Sequence, residues 1–229
     1  MTLAHATLPA RTQGLPRIRH TSAERRNEVV QTIVEIAGEL GPDAVTTQEI
    51  ASRMGVTHGA LFRHFEDKAA MWTAVFEWVR EQLGAVIDMA FATGGNPLAV
   101  LENVFMRHVS FVARNPGVPR ILYYELQFCG VSPQRREACR MVSGYRRRLA
   151  TLMCEAKLQG ELPFGMDEEA AAMLFIGAVQ GLVVQSSLFN DEAGMIDAAR
   201  RIFPLFLDGI RGKPSVDLLE QGIVEQGAS

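Results

Sequence analysis

Cysteine is scarce: Cys129, Cys139 and Cys154 are the only three in 229 residues, and their spacing fits neither a disulfide framework nor a zinc site. Each reads as a small buried hydrophobe, and a reducing cytoplasm is the expected compartment. Charge of one sign is scarce too, since 23 Lys and Arg against 26 Asp and Glu leave a net charge of −3. Bulk electrostatics therefore carry no nucleic-acid signature. No alternating apolar and polar run marks a strand, so an all-α chain is expected. No continuous apolar stretch follows the charges of the first twenty residues, which excludes a secretory signal there. Nucleophile and base constellations, metal-ligand spacings and phosphate-cradling glycine loops are also missing. Neither an enzyme nor a cofactor protein is expected.

One long run has no charge at all. Ala170 to Phe189 is twenty residues, a length that could span a bilayer. Yet Asp167, Glu168 and Glu169 precede it, Gln180 and Gln185 interrupt it, and no basic flank anchors either end. A buried helix is the expected outcome, with no membrane partner. Gly177 and Gly181, four apart, put a bare strip on one face where another helix could approach closely.

What is present is concentrated between Thr46 and Met71, TTQEIASRMGVTHGALFRHFEDKAAM. Thr46 and Glu49 stand at capping-box spacing, which opens a helix at about Thr47. Ile50, Ala51 and Met54 recur on one helical face, and Gly55 follows where a helix stop favours positive φ. Thr57 suits the cap of a second short helix, Thr57 to His64, with Ala60, Leu61 and Phe65 inward. Asp67 starts a third. Two short helices joined by a glycine-bearing turn cannot bury a core alone, so they must pack on the longer helices before and after them. This is a helix-turn-helix pattern.

The run Ala51, Gly55, Val56, Thr57, Gly59, Leu61, Phe62, His64, Phe65 and Lys68 resembles the DNA-binding module of TetR-family transcriptional regulators, over roughly Thr21 to Trp72. Phe62 departs from the family's usual tyrosine and removes a hydroxyl expected to donate to a phosphate. The resemblance implies that the second short helix enters the major groove, which admits one α-helix whose early residues reach base edges. His58 and Arg63 then suit guanine acceptors, Gly59 lets the backbone lie close, and Phe62 meets a thymine methyl or sugar. Thr57 and His64 belong to the same reading segment. Thr47, Gln48 and Lys68, at helix starts, are expected near phosphates. Taken singly, Arg63, His58 and His64 are ordinary surface or core-edge residues; only the motif gives them a role.

Around that head the sequence divides into a basic arm (1–20), the helix-turn-helix domain (21–66), a larger helical domain (67–211) and a tail (212–229). The arm, with Arg11, Arg17 and Arg19, reads as a flexible tail or a groove-following segment. Thr21 and Glu24 make another capping box, and Val29, Ile33, Ile36 and Leu40 form a stripe ending at Gly41-Pro42. A long helix from Asp67 to about Phe91 follows, closed by Gly94-Gly95, and it is the expected link from head to body. Further starts fall at Asn96-Pro97, Gly117, Ser132-Pro133, Asp167 and about Asp191, giving about nine helices.

The resemblance further implies a small-molecule pocket in the larger domain, and the bulky run from Leu101 to Tyr145 supplies candidates. These are Phe105, His108, Tyr123, Tyr124, Phe128, Met141 and Tyr145, with Gln180 as a second polar group beside His108. The same side chains suit any helical core. It also implies a symmetric dimer through the last two helices, placing Gly177, Gly181, Val184, Leu188, Ile202 and Leu205 in a four-helix interface. The cluster Arg135, Arg136, Arg140, Arg146, Arg147 and Arg148 is spread round one helix and cannot all face one anion, so solvation or pairing with acids such as Glu155, Glu161, Glu168 and Glu169 is expected for most of it, over the alternative of an anionic effector site. The expected whole is a cytoplasmic, nucleoid-associated homodimer on a palindromic operator, released by a small apolar or amphipathic effector. The alternative is a DNA-organising or protein-interaction protein using the same head without a ligand.

Overall fold

The structure, a computed structural model, describes residues 21–212 except 129, 131, 190 and 192. The basic arm, Cys129 and the tail beyond Gly212 lie outside the described residues. Within them the chain forms nine α-helices and one 3-10 turn, and no strand. These are α1 (Ser22–Glu39), the turn Pro42–Ala44, α2 (Thr47–Met54), α3 (His58–Leu61), α4 (Lys68–Phe91), α5 (Pro97–Arg114), α6 (Gly117–Leu126), α7 (Pro133–Leu158), α8 (Glu168–Phe189) and α9 (Met195–Arg211).

Caps explain most boundaries. The Thr21 hydroxyl accepts from the Glu24 amide while the Glu24 carboxylate takes the Thr21 amide, a complete reciprocal box. At α2 only half of the expected box forms. Thr46 accepts from the Glu49 amide at 3.0 Å, but the Glu49 carboxylate turns to Arg53 at 2.9 Å, an ion pair one helical turn on. Gly55 ends α2 in the left-handed region at φ 62°. Asp67 caps α4, and Asn96 with Pro97 opens α5.

Three expectations need correction. Leu40 is 57% exposed, because α1 ends at Glu39 and Leu40 is left as its C-cap. The last helix begins at Met195 rather than about Asp191. The Asp191 carboxylate accepts from the Gly194 amide at 2.9 Å and closes a turn just ahead of the helix. Cys139 and Cys154 are exposed on α7, not buried, since the helix turns Ala138, Leu149 and Met153 inward instead.

In the core, α1 packs on α2, α4 and α6, and α4 continues against α5 and α7. At the centre of the larger domain Phe105 meets Phe175 edge-on at 5.2 Å and Phe203 at 5.3 Å, tying α5 to α8 and α9. α8 is long and apolar enough to cross a membrane by length and composition. Its inner face, Ala172, Phe175, Val179 and Val183, is buried in this core. At its start Lys157 of α7, buried, pairs with Glu168 and holds that carboxyl below its usual range.

Candidate DNA interface and cavity

The second helix of the head is a single α-turn, His58–Leu61, shorter than the expected Thr57 to His64. The chain goes on as a tighter turn, with the His64 amide donating to the Leu61 carbonyl at 3.0 Å. Thr57 has extended backbone at the N-cap, but its hydroxyl caps nothing. Leu61 and Phe65 are buried against the core and anchor the segment. Gln48, Thr57, His58, Gly59, Phe62, Arg63 and Lys68 are all exposed, and Thr47 is half-buried. His58 is oriented rather than free: its Nε2 lies 2.8 Å from the Thr47 hydroxyl and its ring rests 5.0 Å from that of Phe62. No neighbouring atom stands within 4 Å of where a Gly59 Cβ would be, so the local surface is bare.

His64 sits differently. It is half-buried, with Nδ1 3.2 Å from the Ser22 hydroxyl, and its carbonyl accepts from Arg26, whose guanidinium lies 4.3 Å over the Phe65 ring. Ser22 and Arg26 thus brace the candidate reading segment from α1, a cation–π contact included. Sequence reasoning missed both. Their only signal was the phase of α1, two turns and one turn before the buried stripe that starts at Val29.

The larger helical part holds a partly open cavity of about 510 Å³ between α4, α5, α6, α7 and α8, a volume that suits a drug-sized ligand. His108, Tyr123, Met141, Tyr145 and Gln180 line it. Phe105, Tyr124 and Phe128 lie outside its lining. Phe105 is fully buried in the aromatic centre, whereas Phe128 is 52% exposed and packs edge-on against Tyr124 at 5.0 Å. Tyr124 faces Asp43 of the head, whose carboxylate raises its phenol pKa. One whole wall was missed: Val75, Val79, Leu83 and Ile87 of α4. In sequence they are apolar positions of one long helix, indistinguishable from ordinary packing residues.

The deep polar groups of the cavity are uncharged. Desolvation lowers the His108 pKa from 6.5 to about 4 and raises that of Tyr145, and the Tyr145 hydroxyl lies 3.4 Å from His108 Nδ1. The unfolded chain therefore takes up a proton near pH 6.5 that the folded chain refuses until about pH 4. Above pH 6.5 the site has no effect on stability, and as pH falls below that value stability is lost, by about 2 kcal/mol at pH 5. Urea midpoints at pH 7 and pH 5 check this. His108→Gln should remove that part of the pH slope, and an identical slope in the variant would show that His108 is protonated in the folded protein.

Next to the cavity, α6 meets α1 backbone to backbone. A Cβ placed on Gly117 would stand 1.9 Å from the Val34 carbonyl oxygen and 2.9 Å from the Gly38 nitrogen. Only glycine fits that approach. Arg120, one turn later on α6, donates to the Gly38 carbonyl, while Val118, Pro119, Ile121, Leu122 and Tyr123 of the same helix line the cavity. One short helix is thus both cavity wall and lock on the head.

The outer face of α8 and α9 is apolar and open to solvent. Gly177, Gly181, Val184, Leu188 and Leu205 are exposed, Leu188 and Leu205 by about 70%, and Ile202 is half-buried. Met173, Leu174 and Phe189 extend the same apolar surface. Of the arginine cluster on α7, Arg146 pairs with Glu169 at 3.3 Å as expected, but Arg140 and Arg148 find Glu137 and Asp88.

Comparison with known proteins bears on the head and on the fold. Residues 29–75 match the family described as bacterial regulatory proteins, tetR family. The nucleoid occlusion factor SlmA of Vibrio cholerae is 29% identical over 158 residues, spanning 69% of this chain and 81% of that protein. SlmA of Aliivibrio fischeri is 26% identical over the same shares. Among solved structures, the transcriptional regulator FadR from Bacillus subtilis in complex with stearoyl-CoA superimposes with a TM-score of 0.67 at 20% identity, over 80% of this chain and 98% of that one. The ketosteroid transcriptional regulator KstR2 of Mycobacterium tuberculosis gives 0.69 at 19% identity, over 86% and 100%. At such identities the structural likeness carries the fold.

Proposed function

The chain is a TetR-family DNA-binding regulator, and from that premise we propose that it is a cytoplasmic homodimeric repressor, released from a palindromic operator when a small molecule enters the cavity. The observation that carries the reading is α6, which walls the cavity with Val118, Ile121 and Tyr123 and is locked to α1 through Gly117 and Arg120. A ligand that displaces α6 must displace α1, which braces the reading segment through Ser22 and Arg26. Ligand would favour a head separation that mismatches successive major grooves, and DNA the other. In this reading both α4 and α6 carry the coupling. The exposed face of α8 and α9 would pair two copies as a four-helix bundle.

The name of the SlmA relatives favours a second reading, in which the same head organises DNA without a ligand. Selection of bound duplexes from a random pool at near-physiological salt separates the two. One inverted repeat is expected for the repressor; uniform, purely salt-dependent binding to any duplex would sink it. Arg63→Ala should weaken the selected site by about 1–3 kcal/mol and relax preference at one position of each half-site. An equal loss on all duplexes would make Arg63 a phosphate holder.

A further inference from the structure

The charged side chains in the cavity lining are all of one sign. Arg80 of α4 and Arg140, Arg147 and Arg148 of α7 contribute to it, and no carboxylate does. On α7 Arg147 and the adjacent Arg148 follow Arg140 by about two turns, with Gly144 between them, and on α4 Gly84 follows Arg80 by one turn. Both glycines line the cavity, and neither has an atom within 4 Å of its missing Cβ, so the arginines flank bare backbone on two facing helices.

Most of this charge is already answered. Glu137 takes Arg80 at 2.9 Å and Arg140 at 2.6 Å, and Asp88 takes Arg148, which also lies 4.2 Å over the Phe91 ring. Arg147 is exposed, and among the described residues its guanidinium has no partner. Farther in, the walls are aliphatic (Val75, Val79, Leu83, Ile176), and the polar tips there, His108 and Tyr145, carry no charge near neutral pH. An ionised group has nothing to pair with in that interior, whereas at the arginines it meets an unanswered cation with a planar fork of donors.

We infer that the cavity takes an amphipathic anion, with its apolar body between α4, α7 and α8 and its carboxylate or phosphate head on Arg147 among the other arginines. This rests on the cavity being the effector site of the proposed repressor, and it specifies the effector's chemistry. Arg147 is the anchor because it is the one lining arginine not held by an acid; Arg80, Arg140 and Arg148 supply the surrounding field.

Calorimetric titration of the full chain with probes of one chain length tests the head group: dodecanoate, dodecyl phosphate, dodecanol and dodecyltrimethylammonium. Both anions are expected to bind roughly tenfold or more tighter than the alcohol, with the advantage shrinking as salt rises, and the cation weakest. Phosphate outrunning carboxylate would select the phosphate head, and the reverse the carboxylate. Arg147→Gln, a change at an exposed position that circular dichroism should find folded, is expected to bring the anions down to the alcohol and leave the alcohol unchanged. Equal binding of anion and alcohol, indifferent to Arg147→Gln, would overturn the anion inference and leave the cavity as an effector site. Failure of all four probes to bind would overturn the inference, and if the operator also responds to no ligand, the repressor reading falls with it.

Discussion

Gly117→Ala is expected to destabilise the protein by about 1–3 kcal/mol, the range for forcing an extra carbon into a filled contact. The cost falls on backbone rather than on the tip of a yielding side chain, because the new methyl would meet the Val34 carbonyl 1.9 Å away. Gly84→Ala is the matched control. It lies within α4 with no atom near the added carbon, so it should gain up to about 1 kcal/mol from helix propensity alone. Urea unfolding of the two variants beside the parent decides the point, and equal midpoints for parent and Gly117→Ala would mean that α6 does not sit against α1 as described. A second readout concerns function. The altered protein should still bind a cavity ligand, while that ligand's effect on DNA affinity shrinks.

Gly181→Leu should leave the protomer at least as stable as before and convert dimer to monomer in sedimentation. Nothing stands within 4 Å of the missing Cβ at Gly181, so one copy has room for leucine and gains helix propensity. A second copy packed on the strip would be held off. Affinity for a palindromic duplex should then fall by roughly 10²–10⁴, the advantage that a linked second head confers. A dimer that survives the substitution places the interface away from α8.

Much of the fold was readable from local chemistry. Thr21 with Glu24, Asp67, Asn96-Pro97 and Ser132-Pro133 state helix starts in residues whose side chains act within one turn, and the structure uses each of them. Asp191 misled because the same carboxylate chemistry that caps a helix also closes a turn before one. The head was legible for a different reason: its motif spans few residues and fixes their mutual geometry. In the body, what decides a residue's place lies far along the chain. Arg80 is held by Glu137, fifty-seven positions later, and Phe105 went to the aromatic centre because Phe175 and Phe203 meet it there. The arginines of α7 were spread round a helix when read alone. Only α4, folded back against them, places Arg80 with Arg140, Arg147 and Arg148 around one cavity.

Gln180 has two surroundings at once. It lines the cavity, yet it is exposed on α8 between Gly177 and Gly181, on the face proposed to meet a second copy. In the proposed dimer, a cavity wall that is also the subunit seam would bind two equilibria together: whatever factor ligand applied to the pairing of chains, pairing would apply to the holding of ligand. Half-saturation would then move with protein concentration, and a sparse cell and a crowded one would answer the same dose of ligand differently.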